Sequence, residues 1–368
     1  MKYYLIAGEA SGDLHGAHLV QALKDQDPKA EFRYWGGDDM MAAVGHAPVR
    51  HIRDLAIMGF VEVAAHLHTV LGNITFCKRD ILSFKPDVVV GIDYPGFNLK
   101  IERWSHRHGF KTVHYISPNL WAWKKGRLRS MKKYLDLLCY ILPFEEKFFA
   151  DNRMDKALYV GHPLLDAVDD ETPSPAAPPD LPIIVLMPGS RRQELKHNLP
   201  LMVCLAEKHR EFHFVVAGMS LLGETIYHQY IPSACNIEVV YDQTYSLLSR
   251  AHAAVVCSGT ATLEAALFNV PQVVCYRANP VSIAIAKAIV SRRIRYISLV
   301  NLIANQTVVT ELIQEDFNAS RLEEEFLRIT GDNANRTRIF TQYAELRTLL
   351  GGNGASSRTA QAILDILR

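Results

Sequence analysis

The chain has 368 residues, 49% of them apolar and 21% charged, with ordinary Gly and Pro contents, so it is globular and not disordered. Lys and Arg total 40 against 39 Asp and Glu, a formal charge of +1, and this balance gives no reason to expect a nucleic-acid partner. From the N-terminus, Tyr3–Ala7 reads as a strand, Gly8–Asp13 as a turn and Leu14–Leu23 as a helix. Phe32–Trp35 reads as the next strand. The apolar spacing of Phe60, Val63, Ala64, Leu67, Val70, Leu71 and Ile74 has a helical period over Phe60–Phe76. Val88–Ile92, Thr112–Ile116 and Leu137–Leu142 are further short apolar strands.

Asp169–Pro182 holds Pro173, Pro175, Pro178, Pro179 and Pro182 and reads as a linker. Beyond it the alternation resumes with Ile183–Met187, His213–Ala217, Ile237–Val240, Ala253–Cys257 and Val273–Tyr276. The expected organisation is an N-terminal domain over 1–168, a linker over 169–182 and a second domain over 183–355. A C-terminal helix, Ser356–Leu367, remains without a fixed docking place. Each domain is a parallel sheet covered by helices, and turns at the carboxyl ends of its strands are the expected ligand sites.

The six cysteines, Cys77, Cys139, Cys204, Cys235, Cys257 and Cys275, form no Cys-x-x-Cys pair and read as buried thiols of a reducing compartment. No apolar run approaches the ~18 residues of a membrane span. Met1–Ala7 is read as a strand and not as a signal peptide. A cytoplasmic protein is the expectation.

Four turns carry candidate chemistry. Ser258–Glu264 follows a buried strand and opens a helix. The backbone N–H groups of Gly259 and Thr260 suit a diphosphate, and Glu264, about one turn on, suits the hydroxyls of a ribose. The same residues also make an ordinary helix start. Gly189, Ser190 and Arg191 follow the first strand of the second domain. Arg191 is an anion clamp by its forked guanidinium, while Ser190 and Gln193 have the spacing of a capping box. Asp93 ends the strand Val88–Ile92, where a carboxylate can take a proton from an attacking hydroxyl; Pro95-Gly96 beside it is also a turn signal. Gly8–Asp13 has its glycines at Gly8, Gly12 and Gly16, which is not Gly-x-Gly-x-x-Gly and argues against a dehydrogenase. It reads either as a structural turn or as a binder of anions or hydroxyls, with Ser11 or Asp13 as cap.

Between Lys100 and Leu135 stand ten basic residues, Lys100, Arg103, Arg107, Lys111, Lys124, Lys125, Arg127, Arg129, Lys132 and Lys133, against one acid, Glu102. With Trp121 and Trp123 among them, the segment suits an anionic membrane surface or an anionic substrate, and equally a solvated basic face around core tryptophans. The apolar Met58–Leu71 region is a stripe for lipid or for the core. Asp25-x-Asp27 lies away from the strand ends. His-Glu-x-x-His, Gly-x-Ser-x-Gly and Walker patterns do not occur, so no metal and no cofactor are expected.

Taken together, Gly-Glu-Ala-Ser-Gly-Asp (8–13), Met-Gly-Phe-Val-Glu-Val (58–63), Gly-Ile-Asp-x-Pro-x-Phe-Asn (91–98), Ile-Ser-Pro-x-x-Trp-Ala-Trp (116–123), Leu-Pro-Phe-Glu (142–145), Gly-His-Pro (161–163), Pro-Gly-Ser-Arg (188–191) and Ser-Gly-Thr-Ala-Thr-Leu-Glu (258–264) resemble the lipid-A-disaccharide synthase family, in order and over nearly the whole chain. The resemblance implies an α/β GT-B fold, two Rossmann-like parallel-sheet domains facing a cleft. It implies inverting transfer from UDP-2,3-diacylglucosamine to 2,3-diacylglucosamine 1-phosphate (lipid X), with UDP released, at the inner-membrane surface. It places the essential aspartate on Asp93 and the donor site on Gly189, Ser190, Arg191, Ser258, Gly259, Thr260, Glu264 and Asn301. Glu9, Ser11, Gly12 and Asp13 fall on the acceptor side. Trp121, Trp123, Lys124, Lys125, Arg127, Arg129, Lys132 and Lys133 fall against anionic lipid. Gly96 stands where many relatives have Asp, and Met187 where Leu is common. An oligomer is compatible with this pattern. A UDP-GlcNAc 2-epimerase, a transferase for another lipid-linked acceptor and a non-catalytic sugar-nucleotide or lipid binder are the rival readings.

Overall fold

Strands buried on both faces must be apolar at nearly every position, and the central strands of this protein are. The computed structural model describes residues 1–55, 67–118, 125–169, 181–232, 235, 237–277 and 295–368. The chain divides into two units, Met1–Ala167 with Gly352–Arg368, and Val168–Gly351. The linker segment 170–180 lies outside the described residues, as does 56–66.

In the first unit, β1 (Lys2–Ala7), β2 (Glu31–Gly36), β3 (Arg50–His51), β4 (Val88–Ile92), β5 (Lys111–Tyr115), β6 (Leu137–Tyr140) and β7 (Ala157–Tyr159) form one parallel sheet of order β3-β2-β1-β4-β5-β6-β7. Its helices are α1 (Ala10–Gln26), α2 (Asp38–Val44), α3 (Leu67–Phe84), α4 (Pro95–Arg107), α5 (Lys125–Tyr134), α6 (Glu145–Asp151) and α7 (Pro163–Asp169). Helix α1 begins at Ala10, four residues before the expected start, so most of the anticipated turn is the first turn of the helix. The helix expected over Phe60–Phe76 is described from Leu67 onward and runs to Phe84.

The second unit repeats the plan. Strands β8 (Ile183–Met187), β9 (His213–Gly218), β10 (Ile237–Tyr241), β11 (Ala251–Cys257), β12 (Gln272–Tyr276) and β13 (Thr310–Ile313) form a parallel sheet of order β10-β9-β8-β11-β12-β13. Helices α8 (Arg192–Lys208), α9 (Glu224–His228), α10 (Thr244–Leu248), α11 (Ala261–Leu267), α12 (Leu299–Ala304), α13 (Ala319–Gly331) and α14 (Asn333–Leu350) accompany it. Strands β3, β7 and β13, short or only partly apolar, are additions to the sequence reading.

The last helix, α15 (Ala355–Leu367), belongs to the first unit. It packs along α1 and buries Ala360, Ile363 and Leu364. Its N-terminal N–H groups are satisfied by Asp166, whose carboxylate accepts from Gly354 N at 2.5 Å and Ser356 N at 3.1 Å. Arg358 donates to Val160 O at 2.8 Å.

His15 on α1 and His162 of the Gly-His-Pro stretch are both buried in this unit. Burial holds both down at about 3, helped by His18 beside His15 and by His15 beside His162. In the unfolded chain the ordinary value is near 6.5, so below that pH the unfolded state binds protons that the folded state refuses. Each histidine therefore removes stability as pH falls from about 6.5 toward 3, by about 1.4 kcal/mol per pH unit. For His162→Asn, the difference in urea-unfolding free energy between pH 7.5 and 5.5 should be about 1.4 kcal/mol smaller than in the parent protein. Equal pH slopes for the two proteins would refute a neutral buried His162.

Candidate functional site

In an open parallel sheet the chain reverses its winding at one place, and the loops on either side of that place part to leave a crevice. The order of the first sheet puts that reversal between β1 and β4, and that of the second between β8 and β11. The loops there begin at Gly8 and Asp93 in one unit and at Pro188 and Ser258 in the other. Sequence reasoning chose these four turns for their residue types, and the topology assembles them in pairs.

In the first unit Asp93 and Tyr94 have φ of 46° and 49°, consecutive left-handed residues without a glycine. Ile116, after β5, has φ of 69°, which a β-branched residue rarely adopts. Asp93 N donates to Tyr115 O at 2.8 Å. The Asn98 amide donates to Asp93 O at 2.7 Å and Ile6 O at 3.1 Å, with Ile92 O at 3.4 Å. The Tyr94 ring lies over Gly8, where a Cβ would come within 2.4 Å of it. Burial, with Glu9 nearby, pushes the Tyr94 phenol up to about 12. Pro95 does not make the anticipated turn; it takes the first position of α4, where its lost N–H costs nothing. Gly96 follows in open space, where an added Cβ would have nothing within 4 Å, so it does not distort the Asp93 turn.

Asp13 and Gly12, expected on the acceptor side, lie in the interior of the unit. Asp13 is 3% exposed and accepts from Gly37 N at 2.5 Å, Asp39 N at 3.0 Å and Met40 N at 3.3 Å. It is the cap of α2, and its carboxyl is raised by burial against the lowering effect of those three bonds. Gly12 is also interior, and a Cβ added there would lie 3.5 Å from Ala7 Cβ. Glu9, exposed at the N-cap of α1, and half-buried Ser11 remain at the crevice.

In the second unit Gly189 has φ of 121° and an added Cβ would meet Glu194 Oε2 at 2.4 Å. The capping side chain is Glu194 and not the expected Ser190–Gln193 pair. Its carboxylate accepts from Ser190 N at 2.9 Å and from Arg191 Nη1 at 3.2 Å. The Arg191 side chain, still 55% exposed, is thereby aimed beside the turn. Both Glu194 and Arg191 are within electrostatic reach of Cys257, the last residue of β11, whose thiol is pushed up to about 12 by burial.

Ser258 Oγ donates to Ile297 O at 3.0 Å, and Gly259 and Thr260 are exposed. Glu264 is half-buried on α11, and burial pushes its carboxyl up to about 7. Asn301, expected at the donor site, is also interior. It is fully buried, its amide donates to Val309 O and Glu311 Oε1 at 2.9 Å each, and its carbonyl accepts from Val308 N at 2.8 Å and Val309 N at 3.0 Å. Every hydrogen-bonding position of that amide is used within the unit. Asn301 acts at one remove, since the Glu311 that it binds also holds Ser298 and Ile297, on which Ser258 rests.

Trp121, Trp123 and Lys124 lie outside the described residues, and Lys125 opens α5. Arg127 is half-buried and Arg129 exposed. Lys132 is tied to the Asn152 carbonyl, a structural contact that sequence reasoning had assigned to lipid. Lys133 lies 5.4 Å above the Tyr134 ring, which also takes Arg103 and Arg107 at 5.3 Å each. On α3, Leu71 is 53% exposed and lines an open groove with His68, Thr75 and Phe76. Among the described residues no three His, Cys, Asp or Glu side chains are placed to hold a metal ion, and no helix is long and apolar enough to cross a membrane.

Three further buried polar groups have no role in the sequence reading. Asn198 on α8 is fully buried; its amide donates to Pro188 O at 3.1 Å and contacts Cys257 Sγ at 3.2 Å, and its carbonyl accepts from Arg277 N at 3.3 Å. His114 and Glu102 form a buried pair at 2.7 Å next to Asp93. Glu145 is buried, and desolvation pushes it up to about 8.

Two doubly wound parallel-sheet units in one chain are the architecture of the GT-B fold. A UDP-GlcNAc 2-epimerase from Neisseria meningitidis, solved with UDP-GlcNAc, superimposes with a TM-score of 0.68 at 14% identity, covering 99% of this chain and 100% of that one. The glycosyltransferase of kitacinnamycin gives 0.64 at 16%, covering 100% and 99%. At such identities the likeness establishes the fold. The family model described as lipid-A-disaccharide synthetase matches residues 3–366. Lipid-A-disaccharide synthases of Syntrophus aciditrophicus and Chromohalobacter salexigens are 38% and 37% identical, over 99% of this chain and 97% and 96% of theirs. The chain belongs to the lipid-A-disaccharide synthase family and is a glycosyltransferase.

The saturated amide of Asn301 separates stability from ligand contact. Asn301→Ala strands two buried N–H groups and should cost about 2–4 kcal/mol in urea unfolding, each orphaned group accounting for about 1–2. Full stability with selective loss of UDP affinity would show instead that Asn301 faces the nucleotide.

Proposed function

We propose that the chain transfers 2,3-diacylglucosamine from UDP-2,3-diacylglucosamine to the 6-hydroxyl of 2,3-diacylglucosamine 1-phosphate (lipid X). The products are the β-1,6-linked lipid A disaccharide 1-phosphate and UDP. Family membership over the whole chain supports the reaction, and the Asp93 turn is the observation that supports its mechanism. A carboxylate at a switch point, on a strained backbone that three hydrogen bonds and a packed ring hold in place, is a preorganised group.

In this reading Asp93 takes the acceptor hydroxyl proton as that oxygen bonds to the anomeric carbon. The bond from that carbon to the UDP oxygen breaks, its electron pair leaves with UDP, and the configuration inverts through an oxocarbenium-like transition state. The leaving diphosphate gains charge. The Arg191 fork and the exposed backbone N–H groups of Gly259 and Thr260, with Gly189, Ser190 and Ser258 shaping their turns, stabilise it. Helix α11 is only Ala261–Leu267, so those local N–H groups carry this role. Glu264 binds the ribose hydroxyls, and near neutral pH its carboxyl both donates and accepts.

Glu9 and Ser11 serve the acceptor; Asp13, Gly12 and Asn301 serve by holding the turns. Trp121, Trp123, Lys124, Lys125, Arg127, Arg129 and Lys133, with exposed Leu71, suit an anionic membrane surface from which acylated substrates are drawn.

The experiment follows UDP release from the acylated donor with and without lipid X. Release should require lipid X, and Asp93→Asn should lower kcat about 10²–10⁴-fold, the usual loss on removing a general base. Release indifferent to lipid X would overturn the assigned reaction. Glu264→Ala should weaken UDP binding at least about tenfold in calorimetry, about 1.4 kcal/mol. Unchanged UDP affinity would remove Glu264 from the ribose site.

A further inference from the structure

Behind Asp93 the sheet holds a pair of charges that the reaction as described does not use. His114 on β5 is register partner to Gly91 on β4, two residues before Asp93. Glu102, on α4 one turn beyond Asn98, reaches down to His114, with Oε1 2.7 Å from Nδ1. Both side chains are at most 1% exposed. The space for this contact exists because residue 91 is glycine: a Cβ there would lie 2.2 Å from Glu102 Oε1 and 2.9 Å from Asn98 Cβ.

A buried ion pair is a poor source of stability, because desolvation consumes most of its Coulombic gain. This one is also incompletely satisfied, since Glu102 Oε2 and His114 Nε2 have no hydrogen-bond partner among the described residues. The charged groups acting on His114 come from three elements. Burial opposes its charge; Glu102 on α4 and then Asp93 after β4 favour it, and Arg127 on α5 opposes it. The balance leaves the imidazole above its ordinary value. Tyr115 and Cys139, register partners of each other, project from the opposite face of the sheet.

We propose that His114, held as a cation by Glu102, is a positioning residue that keeps Asp93 ionised and ready to accept the acceptor's proton. The proposal rests on Asp93 being the general base. The same helix then serves the turn twice: Asn98 fixes the backbone of Asp93, and Glu102 fixes the charge behind its side chain.

The test is the pH profile of kcat/KM for His114→Gln and Glu102→Gln, with an unchanged cooperative urea-unfolding transition as the control that both units are folded. His114→Gln removes the cation. Glu102→Gln lets burial win and discharges the imidazole. In His114→Gln the carboxyl of Asp93 loses its cation, and the acid limb should move up by about one pH unit, about a tenfold further loss of rate below the limb; in Glu102→Gln, where an anion and a cation are lost together, it should move up by less. A loss that is equal at every pH would overturn the proposal. A second measurement needs no active variant: in ¹⁵N-histidine-labelled parent protein, the His114 resonances, assigned by their disappearance in His114→Gln, should be those of an imidazolium at pH 7.5. A neutral ring at that pH overturns the inference while an inactive Asp93→Asn keeps the base assignment. A fully active Asp93→Asn would overturn both.

Discussion

A switch point in a parallel sheet creates a crevice and a debt together. The loops that part there leave backbone groups at the strand ends without ladder partners, and buried groups of that kind cost about 1–3 kcal/mol each. Both units meet this constraint with one buried asparagine on the helix that packs behind the crevice. Asn98 gathers carbonyls from β1 and from the β4 turn. Asn198 gathers the ends of β8, β11 and β12. An amide donates to such carbonyls without a charge to desolvate, and that of Asn198 also accepts from Arg277 N. The four crevice turns each follow a strand end that one of these two amides binds.

The same constraint explains where strain is tolerated. Asp93, Tyr94 and Ile116 occupy left-handed backbone that costs of order 1–3 kcal/mol per residue, and all three lie at the carboxyl ends of the adjacent interior strands β4 and β5. Such conformations persist only where their surroundings overdetermine them. Here the Asn98 amide, the Asp93 N–H on Tyr115, the Ile116 N–H on Cys139 and the Tyr94 ring over Gly8 do so. The turn that aims Asp93 is therefore rigid for a stated reason, and Gly96 two positions into the following helix leaves it undisturbed.

The strands and their parallel arrangement were legible because a strand buried on both faces leaves a run such as Val-Val-Val-Gly-Ile or Ile-Ile-Val-Leu-Met, whose burial follows from its composition. The crevice turns were legible because small and polar residues directly after such runs have few other uses. What sequence could not resolve was which polar side chain meets a ligand and which meets the backbone. Asp13, Asn301 and Glu194 offer the same kinds of polar atoms as Glu9, Asp93 and Arg191, and only the fold shows that Asp13 caps α2 and that Asn301 is saturated. Asn198 stood alone in an amphipathic helix and gave no signal. Glu102 did give one, as the single acid in a basic run, but its meaning depended on a histidine in the neighbouring strand and a glycine beside it. The return of α15 to the first unit depends on Asp166, nearly two hundred residues away.

The two carboxyl groups assigned to the reaction differ in the physical demand placed on them. A base that removes a hydroxyl proton must be ionised before the reaction begins, so it benefits from a nearby cation, which the His114–Glu102 pair supplies from beneath the sheet. A group that binds a ribose close to a diphosphate is under the opposite demand, because a full negative charge there repels the ligand. Burial without a cationic partner raises Glu264 to about 7, so near neutral pH much of its charge is already titrated. On the proposed assignment, a diphosphate bound beside it would raise its proton affinity further and make nucleotide binding proton-linked at that residue. On the proposed assignments one chain would use the same functional group in two protonation states, Asp93 beside a paired imidazole and Glu264 desolvated without a cation.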